Sequence, residues 1–281
     1  MNDVHEVFSL SCICVLSLKN LSPCVTITTI ITDTGIERRD SMYQFESRVR
    51  YSEVDSERHL TLPAVMDYLQ DCCTFQSEDM DIGVEYLAEQ KQAWVLSSWE
   101  IKIRRYPVMG EKICVETWPY AFKGFYGYRN FRITNGQGEE LVLANSVWVY
   151  MDMERMRPMR IPEKVADAYR PEIGEELPGE WGARKLSVPE DGTAMPPVPV
   201  AGFFIDTNHH MNNGKYILVA KESVPENFVI GGVRAEYRRA AMLGDVLHPV
   251  VTVAEEKITV VLTDGADQIY AIVEFAAAEK N

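Results

Sequence analysis

The densest polar segment of the chain is Asp206-Thr207-Asn208-His209-His210-Met211-Asn212-Asn213-Gly214-Lys215-Tyr216. An imidazole or carboxylate in such a segment can take a proton from water. Unpaired backbone N–H groups at a helix start can polarise a carbonyl and hold the negative charge that develops on it. The apolar Phe203-Phe204-Ile205 ahead of the segment predicts a strand that delivers it. Ile217-Leu218-Val219 behind predicts a helix beginning near Asn212. On an extended strand Asp206, Asn208 and His210, at i, i+2 and i+4, share one face, and the helix-start amides lie near Asn213 and Gly214. Simpler readings stand beside this one. Asn212 and Asn213 suit a helix cap, Lys215 and Tyr216 can support the loop, and His209 would point away from His210. Adjacent histidines on opposite strand faces cannot both ligate one ion, so no metal is expected.

The elements that must position this segment occur twice. Tyr51-Ser-Glu-Val-Asp55-Ser-Glu-Arg-His59 echoes Phe204-Ile-Asp206-Thr-Asn-His-His210. The Asp pair and the His pair have one separation (206 − 55 = 210 − 59 = 151). Downstream, Arg104-Arg105 followed by Gly110-Glu111 matches Arg238-Arg239 followed by Gly244-Asp245, at a separation of 134 (238 − 104). Two motifs repeated in one order indicate an internal duplication. In the first copy Thr61 can cap a helix with Pro63 in its first turn, and Leu62, Val65, Leu69 and Cys72 form its apolar stripe. Strands are expected over 94–105, 112–119, 124–134 and 140–150, with Asn135-Gly136 turning the last pair. A long helix that must bury its stripe on an antiparallel sheet, twice over, is an α+β double hot-dog. The expected organisation is an extension over 1–41, a first hot-dog domain over 42–161, a proline-rich linker over 162–200, and a second hot-dog domain over 201–281 that carries the catalytic residues.

Composition removes several classes of function. Hydrophobic residues make up 46% of the chain, enough for a core without metals or disulfides. The net charge of −14 disfavours nucleic acid and anionic membranes, and no apolar run approaches the roughly 20 residues that span a bilayer. Cys12, Cys14, Cys24, Cys72, Cys73 and Cys114 form no CxxC pair; Cys72 and Cys73 read as small buried hydrophobes in a reducing cytoplasm. Residues 1–41 have no basic start before their apolar stretch, and their acids outnumber their bases, unlike a secretory or organellar leader. Met42, just before the first convincing strand, is the expected true start.

The 206–216 segment resembles the D-x-N-x-H-x-N-N-x-K-Y signature of acyl-ACP (acyl carrier protein) thioesterases, through Asp206, Asn208, His210, Asn212, Asn213, Lys215 and Tyr216. Glu236-Tyr237-Arg238-Arg239 is similar to that family's E-Y-R-R strand, and Trp148-Val149-Tyr150-Met151-Asp152, with Arg155, to the end of its first hot-dog domain. The resemblance covers about residues 43–275 and is that of a bacterial member similar to the plant enzymes. It implies hydrolysis of a fatty acyl thioester on acyl carrier protein in fatty acid metabolism, without a cofactor. The catalytic residues would be Asp206, Asn208 and His210. Asn213 and Gly214 would receive the carbonyl, with Asn212, Lys215, Tyr216 and Glu236 in support, and the first hot-dog would shape the acyl pocket.

One departure has chemical weight. Plant members carry a Cys shortly after the E-Y-R-R strand, where this chain reads Ala240-Ala241-Met242. A covalent Cys–His route through that position is therefore closed, leaving activated water or the Asp206 carboxylate as attacking group. His59, whose surround has Glu57, Thr61 and Leu62 in place of Asn208, Asn212 and Asn213, reads as structural or pocket-lining. An acidic carrier would need a local basic patch, for which Arg104, Arg105, Lys112, Arg238 and Arg239 are candidates. Chain length would follow pocket depth, set by bulky residues such as Trp94, Trp99 and Phe75. Two fused hot-dogs already form a pseudo-dimer, so a monomer or a homodimer fits. The rival readings are an acyl-CoA thioesterase, a non-catalytic acyl-binding module and a dehydratase.

Overall fold

Thr61 opens the first long helix as expected: its Oγ1 accepts the Ala64 N–H at 3.4 Å, and Pro63 occupies the first turn, where no amide is needed. That helix, α1 (Leu62–Asp79), buries Leu62, Val65, Met66, Leu69 and Cys72, each large apolar side chain contributing about 1.5–3 kcal/mol. Cys72 is a core residue, as its sequence setting implied; its thiol donates to the Val115 carbonyl at 3.5 Å, and burial pushes its pKa up. The computed structural model describes residues 42–266 and 268–278. The expectations for 1–41, including the start at Met42, lie outside the described residues.

In chain order the remaining elements are β1 (Tyr43–Arg48) before α1, then α2 (Val84–Glu89), β2 (Gln92–Ile103), β3 (Lys112–Lys123), β4 (Tyr126–Asn135), β5 (Glu140–Asp152), β6 (Arg157–Pro158), α3 (Glu163–Tyr169), β7 (Thr193–Ala194), β8 (Val198–Pro199), α4 (Asn213–Lys221), β9 (Ile230–Tyr237), β10 (Val246–Val253), β11 (Lys257–Thr263) and β12 (Ile269–Ala277). The strands form one antiparallel sheet in the order β1-β3-β4-β5-β2-β9-β12-β11-β10-β7. Its halves join through β2 and β9, from Ser98 opposite Glu236 to Lys102 opposite Gly232. One apolar core runs beneath both helices, with Leu69 and Met66 of α1 and Tyr216 and Ile217 of α4 in the same cluster. The architecture is α+β, a helix packed on an antiparallel half-sheet in each copy. The β4–β5 turn is longer than Asn135-Gly136 alone: the Asn135 Oδ1 accepts the amides of Gln137 and Glu139, and Gly138, at φ +79°, supplies the left-handed residue.

The duplication extends to individual hydrogen bonds. Arg104 and Arg105 both donate their amides to the Leu141 carbonyl, and Arg238 and Arg239 both donate theirs to that of Tyr270. Gly110 and Gly244, at φ +83° and +90°, donate to Val49 and Val200. The carboxylates of Glu111 and Asp245 accept the amides of Val108 and Met242. Each motif repeated in the sequence is therefore a turn with its own backbone bonds.

The segment between the halves is a strap, not a loose linker. The α3 residues Val165 and Tyr169 are buried with Ile82 and Tyr150. Beyond α3 the chain crosses the sheet face opposite α1 and α4. There the Trp118 indole donates to the Glu175 carbonyl at 2.8 Å, and the Glu100 carboxylate accepts the Gly182 amide at 2.7 Å.

Candidate active site

The apolar stretch ahead of the polar segment is not a strand. Gly202–Phe204 forms a short 3-10 turn, which buries Phe204 and leaves Phe203 77% exposed. The chain then closes a tight loop. The Asp206 amide donates to the His210 carbonyl at 2.8 Å, the His209 amide donates to the Asp206 carbonyl at 3.0 Å, and Ile205 bridges Met211. Asp206 Oδ1 accepts the Asn208 amide at 2.8 Å, and His209 takes the left-handed conformation at φ +60°. The expectation that Asp206, Asn208 and His210 share a strand face is thus corrected. An Asp carboxylate binding the amide two residues on favours a turn over extended chain. The three residues belong to one closed loop of five, with Asp206 and His210 partly buried and Asn208 and His209 at the surface.

The loop leads straight into α4. Asn212 is its cap, with Oδ1 accepting the Gly214 amide at 2.9 Å and its carbonyl accepting the Lys215 amide at 2.9 Å. Gly214 was an expected carbonyl-binding amide; its N–H is committed to the cap instead. Asn213 has the helix-start amide with no acceptor among the described residues. Its carbonyl accepts the Tyr237 hydroxyl at 2.9 Å. The Tyr216 hydroxyl accepts the Ala241 amide at 2.7 Å; burial pushes its pKa up to about 12, opposed by that amide and reinforced by Tyr270, Asp206 and Asp245. Tyr216 and Tyr237 pack edge to face with centroids 5.6 Å apart.

The first half also reaches this point. Gly214 is buried, and a side chain placed on it would meet Gln70 Nε2 at 3.4 Å and Met66 Cβ at 3.5 Å, both from α1. Lys215 offsets the burial that raises the Asp67 carboxyl. Nothing in the local sequence marked Gln70, Met66 or Asp67, because only the pairing of the halves brings them to α4.

Glu236 lies elsewhere. Strand alternation turns Ala235 and Tyr237 toward the helices and Glu236 toward the strap, where its carboxylate accepts the Leu186 amide at 2.7 Å and pairs with Arg238 at 3.1 Å. Burial pushes its pKa up, but Arg238 and the Leu186 amide outweigh this and hold it below the ordinary value. Four of the five candidate docking cations are ion-paired: Arg104 with Glu140, Arg105 with Glu111 and Glu139, Arg238 with Glu236 and Arg239 with Asp264. His59 is exposed in a turn that repeats the Asp206 loop, its amide donating to Asp55 Oδ1 at 2.9 Å. Of the three bulky residues, Trp99 is core beside Phe131, Trp94 packs on Tyr150, and Phe75 is 44% exposed. No cluster of three or more His, Cys, Asp or Glu side chains that could hold a metal ion occurs among the described residues.

Comparison with known proteins gives these features a family. The model of the acyl-ACP thioesterase N-terminal domain matches residues 40–169, and that of the C-terminal domain matches 190–274. The palmitoyl-acyl carrier protein thioesterase of Gossypium hirsutum is 26% identical over 222 residues, covering 74% of this chain and 54% of the relative. The dodecanoyl-[acyl-carrier-protein] hydrolase of Cinnamomum camphora is 27% identical over 226 residues, 73% of this chain and 58% of the relative. Both are chloroplastic, and the chain spans little more than half of their length. Two solved structures share the fold with a TM-score of 0.75. The acyl-ACP thioesterase from Bacteroides thetaiotaomicron has 22% identity, with 83% of this chain and 96% of that one covered. The 12:0-ACP thioesterase from Umbellularia californica has 24% identity, with 84% and 96% covered. With both domain models matched in order across most of its length, the chain belongs to the acyl-ACP thioesterase family.

Proposed function

We propose that this protein hydrolyses fatty acyl-acyl carrier protein to free fatty acid and the carrier thiol, at the Asp206–His210 loop and the start of α4. The observation that carries the reading is the direct seating of that loop, with its imidazole and carboxylate, on a helix whose Asn213 amide has no acceptor among the described residues. The thioester carbonyl lies against the Asn213 amide. His210 takes a proton from water as the oxygen adds to the carbonyl carbon, Asn208 orients the water or the substrate, and Asp206 orients His210 or attacks itself. On the water route the tetrahedral oxyanion collapses, the C–S bond breaks, and the thiolate takes the proton from His210. Where the plant members carry a Cys this chain reads Ala240-Ala241-Met242, so no thiol acts from that place; Ala241 is buried, and its amide is spent on Tyr216.

The carrier protein is the partner, and the reaction belongs in the cytoplasm. No helix among the described residues is long and apolar enough to cross a membrane. A monomer with two fused halves, or a homodimer of it, suits the reading. The test follows free fatty acid by mass spectrometry and thiol release on acyl-ACP and acyl-CoA in parallel, with wild type and His210→Ala. Wild type should release fatty acid with acyl-ACP preferred, and loss of the general base should lower kcat by about 10²–10⁴. A His210→Ala protein of near-native rate would remove the imidazole from the chemistry. Wild type that leaves acyl-ACP intact would end the reading.

A further inference from the structure

A tetrahedral oxyanion needs donors aimed at it from a fixed frame, and α4 offers few. Its Gly214 amide is held by the Asn212 side chain at 2.9 Å and its Lys215 amide by the Asn212 carbonyl at 2.9 Å, which leaves the single amide of Asn213. Directly against this helix start lies the carboxamide of Gln70 from α1, its Nε2 3.4 Å from the point where a Gly214 side chain would begin. Because residue 214 is glycine, no side chain separates the two helices there. Gln70 is only lightly committed: its Nε2 donates to the Met66 carbonyl at 3.5 Å, the outer limit of a hydrogen bond. A primary amide carries two N–H groups, so a donor remains on the Nε2 that lies beside Gly214.

We propose that Gln70 is a catalytic residue contributed by the first half to the site of the second, its amide acting with the Asn213 N–H as the paired donors for the thioester oxyanion. This rests on the hydrolytic reading above. The duplication explains why the arrangement exists once. The position equivalent to Gln70 in the second half is Lys221 (221 − 70 = 151), and the position equivalent to Gly214 in the first is Pro63 (214 − 63 = 151), which carries a ring and has no amide to offer. Fusion has let the two helix starts diverge into one site and one structural copy.

The experiment compares Gln70→Met and Gln70→Glu with wild type on acyl-ACP, recording kcat, KM and Tm. Met keeps the length and removes the donors. Glu keeps the shape and sets a negative charge beside the oxyanion. Removal of one such donor costs about 10²–10³ in kcat in a well-formed oxyanion hole, so Gln70→Met should fall by that factor with KM changed no more than about twofold. Gln70→Glu should be slower still, at a Tm close to wild type. Met and Glu proteins within about threefold of wild-type kcat, or rates that fall only in step with Tm, would overturn the assignment. If wild type is active and His210→Ala is not, such a result discards Gln70 alone; if wild type is inactive, the hydrolytic reading falls and this assignment with it.

Discussion

Asp206 has two separable tasks, and the internal repeat supplies the control that distinguishes them. Its Oδ1 braces the loop through the Asn208 amide. Asp55 braces the matching loop of the first half through the amides of Glu57 and His59, and Arg58, at φ +66°, repeats the strained conformation of His209. Asparagine keeps a side-chain oxygen for the brace but loses the charge. Asp206→Asn should therefore melt within a few degrees of wild type while kcat falls by about 10²-fold or more, as expected when a catalytic base loses its partner or the attacking carboxylate is lost. Asp55→Ala should do the reverse. It loses two hydrogen bonds worth about 0.5–1.5 kcal/mol each, lowering Tm with kcat kept. Thermal melts beside steady-state rates check both. Full activity in Asp206→Asn would reduce this carboxylate to a brace.

At the scale of elements, a buried polar cluster ties α1 to the sheet and to the start of the strap. Arg129, on β4, donates to Gln76 of α1 and to Thr117 Oγ1 at 3.0 Å, and lies over the Tyr169 ring at 5.2 Å; Gln76 in turn donates to Glu172. Gln76 and Thr117 are both fully buried, so Arg129→Met strands two acceptors. We expect a loss of about 1.5–3 kcal/mol in urea unfolding, the range for hydrogen bonds to a charged group. Adding Gln76→Met should recover part of it, since removing both partners costs less than orphaning one. Strictly additive losses would show that the two side chains are not coupled.

The same scale shows what the sequence disclosed. The α1 cap, its apolar stripe and the four strands of the first half were legible because propensity and burial agree there. The repeated Asp–His and Arg–Arg motifs were legible as a duplication but not as turns: the Asp–His loops close on their own backbone (Asp55 to His59, Asp206 to His210), and the Arg–Arg pairs bond to Leu141 and Tyr270, far away in sequence. Phe203-Phe204-Ile205 imitated a strand although Phe203 points into solvent. Glu236 is a supporting residue only through the resemblance of its E-Y-R-R strand, and alternation sends its side chain to the face opposite Tyr237. Gln70 sits just off the helical stripe, and no local pattern distinguishes it from a surface residue.

The whole molecule is held from both sides: one core beneath the helices, and a strap whose amides are gripped by carboxylates on the opposite face. Glu236 takes the Leu186 amide and Glu100 the Gly182 amide, while Arg184 donates to Ser97 Oγ at 2.9 Å. This gives stability an acid dependence with a definite sign. Glu236 and Glu111 both have folded pKa values below the ordinary 4.5, Glu236 because Arg238 and the Leu186 amide overcome its burial, Glu111 chiefly through Arg105. A carboxylate with a depressed pKa in the folded state adds stability that is fully present above its unfolded value and is lost as pH falls through the depressed one. Unfolding free energy should thus decline below pH 4.5. Glu236→Gln should flatten that decline, and limited proteolysis near Leu186 should quicken because the strap has lost its charged grip. Its kcat should match wild type, since Glu236 faces away from α4. If the substitution changed kcat but left the acid profile and the cleavage rate untouched, Glu236 would belong to the reaction after all, and the outer face could no longer be treated as purely structural.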